Sequence, residues 1–226
     1  MQVNFESLTH INIFNHMDAD EIEALLHYLN YRTQTFQRKT TICCAGDYSS
    51  EFGIVLNGEA SIENIDFWGN VSIIAHLSAG SIFAESYALI KKALAVDVIA
   101  QKKCQVLFIS LKNIFLPDRT NNPLVISGQK KLIHNLLILC SQKNLHLSHR
   151  IFHTSSKTIR GRVISYLSFL SKEKKCADFD IPFNRQQLAD YLNVDRSALS
   201  HELSKMQKEG LIRMDKNHFS LKEKVM

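Results

Sequence analysis

One stretch, Asn184 to Leu203, constrains the fold of this chain more than any other. Asn184 is a good helix N-cap, and Gln187 stands three residues on, where a capping box places its second member. The helix that follows, Arg185 to Leu192, is short. It stops at Asn193, a residue that tolerates the left-handed conformation of a tight helix–helix turn. Asp195 then caps a second helix, Arg196 to Lys208, and Gly210 closes it. Leu188, Leu192, Val194, Leu199 and Leu203 can hold two such helices at a steep angle, with Ala189 small where they approach closely. The pattern predicts a helix-turn-helix. Its second helix leaves Arg196, Ser197, Ser200 and His201 on the open face. In a major groove an Arg fork bonds guanine O6 and N7, and Ser and His can reach other base edges.

The residues beyond Gly210 add a wing. Leu211-Ile212-Arg213-Met214 and Phe219-Ser220-Leu221 read as two short strands about the polar tip Asp215-Lys216-Asn217-His218. Arg185, Lys205, Arg213 and Lys216 are the candidates for phosphate contacts, which give affinity and register while the second helix reads sequence. Charge agrees. Residues 150–226 hold 15 Lys/Arg against 9 Asp/Glu, a balance of +6, whereas residues 1–149 hold 12 against 13, a balance of −1. Such a basic excess calls for a polyanionic partner, and the winged element makes that partner double-stranded DNA. The competing reading is an amphipathic helix pair with Arg196 merely solvated. The caps, the small residue, the wing and the charge together speak against it.

Upstream the periodicity changes twice. Asp18, with Glu21, caps a helix carrying Ile22, Leu25, Leu26 and Leu29. From Tyr31 to about Leu111 the segments are short and rich in β-branched and aromatic residues, separated by Ala45-Gly46-Asp47, Asn57-Gly58, Phe67-Trp68-Gly69-Asn70 and Ala79-Gly80. Asn57-Gly58 between two apolar runs predicts a hairpin, and Glu85 to Lys92 a helical interruption. The whole suggests a small sandwich or jelly roll. Asn121-Asn122-Pro123 breaks the chain. Leu124 to His146 then reads as one long helix whose apolar stripe (Leu132, Ile133, Leu136, Leu137, Leu139, Cys140) is wider than one packing face needs. One face would cover the β domain and the other pair with a second copy. A further helix starts near Ser155 or Ser156, and Phe179 to Phe183 looks like a short strand.

No apolar run approaches a membrane span, and the first residues lack the basic and apolar regions of a secretory signal, so a cytoplasmic protein is expected. The five cysteines, Cys43, Cys44, Cys104, Cys140 and Cys176, form no CxxC pair, which suits a reducing compartment. Without a nucleophile elbow, HExxH or phosphate loop, an enzyme is not expected.

With these residues in view, the chain resembles the Crp/Fnr family of bacterial transcription regulators over nearly its full length. The diagnostic run is Asn184-Arg185-Gln186-Gln187-Leu188-Ala189-Asp190-Tyr191-Leu192 followed by Val194-Asp195-Arg196-Ser197-Ala198-Leu199-Ser200-His201-Glu202-Leu203. Gly46, Gly58 and Gly80-Ser81-Ile82-Phe83-Ala84-Glu85 fall where the family's β-roll has its turn glycines and effector motif. The resemblance implies an α+β architecture in three parts. A double-stranded β-helix or jelly-roll sensor domain spans residues 1–120, a long dimerisation helix 121–147, and a winged helix-turn-helix 148–226. It implies a homodimer through helix 124–146 on a palindromic operator, governed by a small-molecule effector near Glu85, Ser86 and Tyr87, and admits RNA polymerase as a partner.

Departures narrow the effector. Ala95 and Val96 stand where cyclic-AMP-binding members carry Arg-Ser, and neither can neutralise a phosphate. No cysteine precedes Cys43, and His76 does not match an axial-ligand position, so neither an iron–sulfur cluster nor haem is expected. Ser197 and His201 replace the family's frequent Glu and Arg, which points to a different half-site. The alternative is a cyclic-nucleotide- or redox-responsive regulator on the same fold.

Overall fold

The computed structural model describes residues 3–116 and 121–222, and the chain divides into two compact units, residues 1–140 and 141–226. In the first unit, α1 (Phe5–Leu8) and α2 (Ala19–Leu29) precede eight strands: β1 (Tyr31–Phe36), β2 (Thr41–Cys43), β3 (Glu51–Asn57), β4 (Ala60–Ile65), β5 (Val71–Leu77), β6 (Ile82–Phe83), β7 (Asp97–Ala100) and β8 (Cys104–Ser110). A short helix, α3 (Glu85–Ile90), interrupts them. The strands form two antiparallel four-stranded sheets, ordered β1-β8-β3-β6 and β2-β7-β4-β5. This is the β-roll. One buried cluster gathers Phe36, Val55, Leu77, Phe83, Val98, Val106 and Phe108. A second, with Ile22, Leu25, Leu26, Phe52, Ile54, Leu107, Leu132 and Leu136, joins β3 and β8 to the helices.

The turn at Asn57-Gly58 is real, but the hairpin is not. Gly58 takes φ +87°, and a Cβ there would lie 2.3 Å from the carbonyl oxygen of Lys103. Yet β3 pairs with β6 and β8, while β4 pairs with β5 and β7. The chain uses the turn to pass from one sheet to the other. Phe52, Gly53, Ile54 and Val55 are buried in succession, so β3 is covered on both faces and pairs where burial is greatest, not with its nearest neighbour in sequence. Gly53 itself sits on the Phe83 ring, so close that a Cβ would fall 2.1 Å from Cζ.

The long helix, α4 (Pro123–Thr154), outruns the expected span by a further eight residues to Thr154, and the next helix starts later than expected, capped by Thr158. Within the first unit α4 lies close on α2: a Cβ on Gly128 would stand 3.2 Å from Cβ of Leu25. Asn135 Nδ2 donates to the carbonyls of Ile13 and Asn15 at 2.9 and 3.0 Å, and Lys131 Nζ pairs with Glu21 at 2.5 Å. Leu132 and Leu136 are buried there, whereas Leu137, Ile138, Leu145, Leu147, Ile151 and Phe152 stay exposed in the single chain.

The second unit contains the rest of α4, α5 (Ile159–Lys174), β9 (Asp178–Asp180), α6 (Arg185–Leu192), α7 (Arg196–Lys208), β10 (Ile212–Asp215) and β11 (His218–Leu221). Its core joins Val163, Tyr166 and Leu167 of α5 to Leu188, Ala189, Leu192, Leu199, Leu203 and Phe219, with Val194 packed partly buried against it. The strand expected at 179–183 is shorter, and it supplies a third strand in the order β10-β11-β9.

Candidate nucleic-acid interface

The local chemistry of α6 and α7 follows from their ends. Gln187 N–H donates to Asn184 Oδ1 at 2.9 Å and Asn184 N–H to Gln187 Oε1 at 2.8 Å, completing the capping box. Asn193 ends α6 in the left-handed region (φ 53°, ψ 56°). Two residues on, Asp195 Oδ1 accepts from Ala198 N–H at 2.9 Å and starts α7. Between the helices two arginines close the carbonyl end of α6. Arg162 Nη1 donates to the carbonyls of Leu192 and Asn193 at 3.0 and 2.8 Å. Arg150, on the last turns of α4, donates to those of Asp190 and Tyr191 at 3.0 and 3.2 Å. Positive charge at a helix C-terminus is where the dipole favours it.

α7 therefore presents a defined outer face. Leu199, Leu203 and Met206 are buried, while Arg196, Ser197, His201 and Lys205 are exposed and Ser200 is half-buried. Among the described residues the Arg196 guanidinium and the His201 ring have no hydrogen-bond partner. The serines differ. Ser197 Oγ donates to Asp195 Oδ1, and Ser200 Oγ to the Arg196 carbonyl at 2.9 Å, so both hydroxyl protons are engaged within the helix. They offer a base edge lone pairs rather than a donor. Acid at α7 is partly offset: Arg160 of α5 pairs with Glu202 of the helix at 2.6 Å and with Glu209, the residue just past its end, at 2.7 Å.

The four phosphate candidates are unequal. Lys205, Arg213 and Lys216 are exposed, and Lys216 sits at the wing tip with φ 50°. The tip is tighter than expected: Asp215 and His218 pair, leaving a two-residue turn. Arg185 is half-buried, with Nη2 3.5 Å from Met214 Sδ and its guanidinium 6.0 Å from the Phe219 ring; burial lowers its pKa. It braces α6 against the wing. On β11, His218 lies between Asp178 (2.5 Å) and Asp180 (2.9 Å), and the hydrogen bond it donates to Asp180 leads in raising its pKa.

The sensor residues differ in burial. Glu85 is buried, Ser86 exposed and Tyr87 half-buried, with Ser86 Oγ donating to Glu85 Oε1 at 3.2 Å. Two open grooves of about 510 and 480 Å³ lie instead along the first turns of α4, sharing Ile126 and Lys130, and none of the three lines either. Ala95 is exposed and Val96 half-buried. Burial pushes the Cys43 thiol up to about 11, which keeps it protonated at neutral pH. Among the described residues no group of three or more His, Cys, Asp or Glu side chains could hold a metal ion.

Arg150, Arg162 and the His153–Tyr191 contact escaped the sequence. Each joins elements 30 to 41 residues apart, and an arginine aimed at a distant carbonyl leaves no local pattern.

Comparison with known proteins agrees with the geometry. Residues 33–115 match a family described as a cyclic nucleotide-binding domain, and residues 161–224 one described as a Crp-like helix-turn-helix domain. No curated protein matches the sequence. Among solved structures, the chain is similar to the c-di-GMP-responsive global regulator CLP of Xanthomonas campestris, at 19% identity and TM-score 0.53, over 92% of this chain and 100% of that one. It is also similar to a cyclic nucleotide-binding domain from Methylobacillus flagellatus, at 17% identity and TM-score 0.50, over 62% of this chain and 79% of that one.

Proposed function

The chain belongs to the Crp/Fnr family of transcriptional regulators, a β-roll joined by a long helix to a helix-turn-helix, and on that premise we propose that it acts as a homodimer on a two-fold-related DNA operator. One observation carries this reading. The outer face of α7 holds Arg196 and His201, unpartnered among the described residues, with exposed Lys205 beside them, while Arg160 pairs with Glu202 of the helix and Glu209 just past its end. In the groove Arg196 and His201 donate to base edges, Ser197 and Ser200 accept, and Lys205, Arg213 and Lys216 hold phosphates. Arg185 contributes chiefly by fixing the wing.

The dimer forms through α4. Ile138, Leu145 and Phe152 stand seven residues apart, all exposed in the single chain, and the helix contains no Asp or Glu. A double substitution, Ile138→Glu with Leu145→Glu, should turn the dimer into a folded monomer in sedimentation velocity. Selection of binding sites from random DNA should return a palindrome with half-sites about one DNA turn apart. A single asymmetric site, or none, would overturn the assignment.

The effector is a small molecule other than a cyclic nucleotide, since Ala95 and Val96 bring no cation to a cyclic phosphate. Glu85, Ser86 and Tyr87 are its candidate contacts in the β-roll. Calorimetry with cyclic AMP and cyclic GMP should show no micromolar binding. A cytoplasmic setting, with access to RNA polymerase, fits such a regulator.

A further inference from the structure

The last turn of α4 carries a side chain that the DNA-reading role does not use. His153 is 1% exposed. Its Nδ1 lies 2.9 Å from Tyr191 Oη on α6, and among the described residues its Nε2 has no hydrogen-bond partner. The ring is enclosed by aromatic neighbours: Phe169 at 5.0 Å, Tyr166 at 5.4 Å, Phe152 at 5.7 Å and Tyr191 at 5.9 Å between centroids. One turn earlier Arg150 grips the carbonyl end of α6 through Asp190 and Tyr191. The end of α4 therefore meets the first helix of the DNA-reading pair at three polar contacts, two from Arg150 and one from His153.

We propose that His153, with Arg150, is a positioning residue for DNA binding, clamping α6 to the end of α4 while its ring is neutral and releasing it when the ring takes up a proton. The inference rests on the DNA-binding reading above. The neutral ring needs one partner at Nδ1 and leaves one polar atom buried and unmet, a tolerable cost. The imidazolium must place two N–H donors and a charge in the same space, and Nε2–H has nothing to donate to. The surrounding groups do not help. His146, His149 and Arg150 face the cluster from α4 and bring no carboxylate to it. Tyr166, from α5, and Tyr191, from α6, are neutral phenols whose own ionisation burial opposes. Glu173, two turns beyond Tyr166, is a carboxylate that acts on Tyr166, and through it on this cluster. Burial, with His149 adding to it, accordingly lowers the pKa of His153 below the usual histidine value. The sign follows: the clamp is intact above about pH 6.5, the unfolded value, and weakens as pH falls toward the lower folded value.

The test compares the wild-type full chain with His153→Gln between pH 5.5 and 8, titrating by anisotropy a duplex recovered by selection from random DNA. Wild-type affinity should fall about tenfold relative to the variant as pH drops from 7.5 to 5.5, because His201, His218 and every other titrating group are common to both. Superimposable pH profiles overturn the proposal. Hydrogen exchange and imidazole NMR on the wild type guard against a variant that fails to fold. Tyr191 and its neighbours on α6 should lose protection at pH 5.5 with the midpoint of His153. Equal protection at both pH values, or a His153 pKa at or above 6.5, overturns the clamp. Absence of DNA binding at every pH would refute the DNA reading instead, and the exchange data would still decide the clamp.

Discussion

Replacing Arg196 by alanine separates base reading from everything else α7 does. The guanidinium is exposed and has no partner within the described residues, so its loss should leave thermal stability unchanged. A bidentate arginine–guanine pair is worth about 1–3 kcal/mol of discrimination. A two-fold dimer loses the pair twice, about 2–6 kcal/mol, which at about 1.4 kcal/mol per decade is a loss of about thirtyfold to about 2 × 10⁴-fold. The structure adds a contrast. Because the hydroxyl protons of Ser197 and Ser200 are engaged by Asp195 and the Arg196 carbonyl, Ser197→Ala and Ser200→Ala take from a base edge acceptor lone pairs and no donor, and should each cost less than about tenfold. Arg196→Lys keeps the charge, loses the fork, and should follow the alanine variant on the operator. The assay is anisotropy at fixed salt on the selected operator and on a scrambled duplex of equal length. The ratio between them should collapse for Arg196→Ala. An equal loss on both duplexes would make Arg196 a phosphate contact, and no loss on either would remove it from the interface.

Lys205→Ala should weaken both duplexes alike and, with two copies per dimer, flatten the slope of log K against log salt by about 1.8, read from a salt series. Asn184→Ala removes the side-chain arm of the α6 capping box, keeps the backbone N–H that donates to Gln187, and should cost about 1 kcal/mol of stability in urea unfolding, with Asn184→Asp close to wild type. Gly53→Ala drives a methyl into the Phe83 ring and should cost about 1–3 kcal/mol; adding Phe83→Leu should recover part of it, and strict additivity in that double-mutant cycle would refute the contact. His218, its pKa raised in the folded state, stabilises the wing below about pH 6.5 and loses that effect as pH rises through its higher folded value. Hydrogen exchange of the β9–β11 pairing, corrected for the intrinsic rate, should therefore quicken from pH 6 to pH 9, and His218→Gln should abolish the trend.

The DNA-reading half was legible because its signals are local. Asn184 with Gln187, Asn193 and Asp195 each declare a helix end within four residues, and each does in the structure what its type predicts. The sensor half was less so. Asn57-Gly58 announces a turn, but whether the flanking strands pair depends on which strand can cover Phe52 and Ile54, and that strand, β8, lies some fifty residues on. The end of α4 was misplaced for a related reason: the helix runs on through a stretch whose apolar period fades, held by Arg150 and His153 against α6. Arg185 looked like a free cation. Its contacts with Met214 and Phe219 come from strands that sequence spacing cannot bring to it.

The pairing of β1 with β8 sets a timetable for synthesis. Residues 31–36 find their partners only at residues 104–109, and β3 likewise needs β8. At about 5–20 residues per second, β1 waits about 4–16 s for β8 to be made, with Phe52 and Ile54 uncovered meanwhile. Closing so long a loop adds an entropic cost of about 4 kcal/mol beyond a constant. The helix-turn-helix, whose two helices are neighbours in sequence, faces no such delay. Residues 104–110 are thus the segment whose emergence lets β1 and β3 join into one sheet.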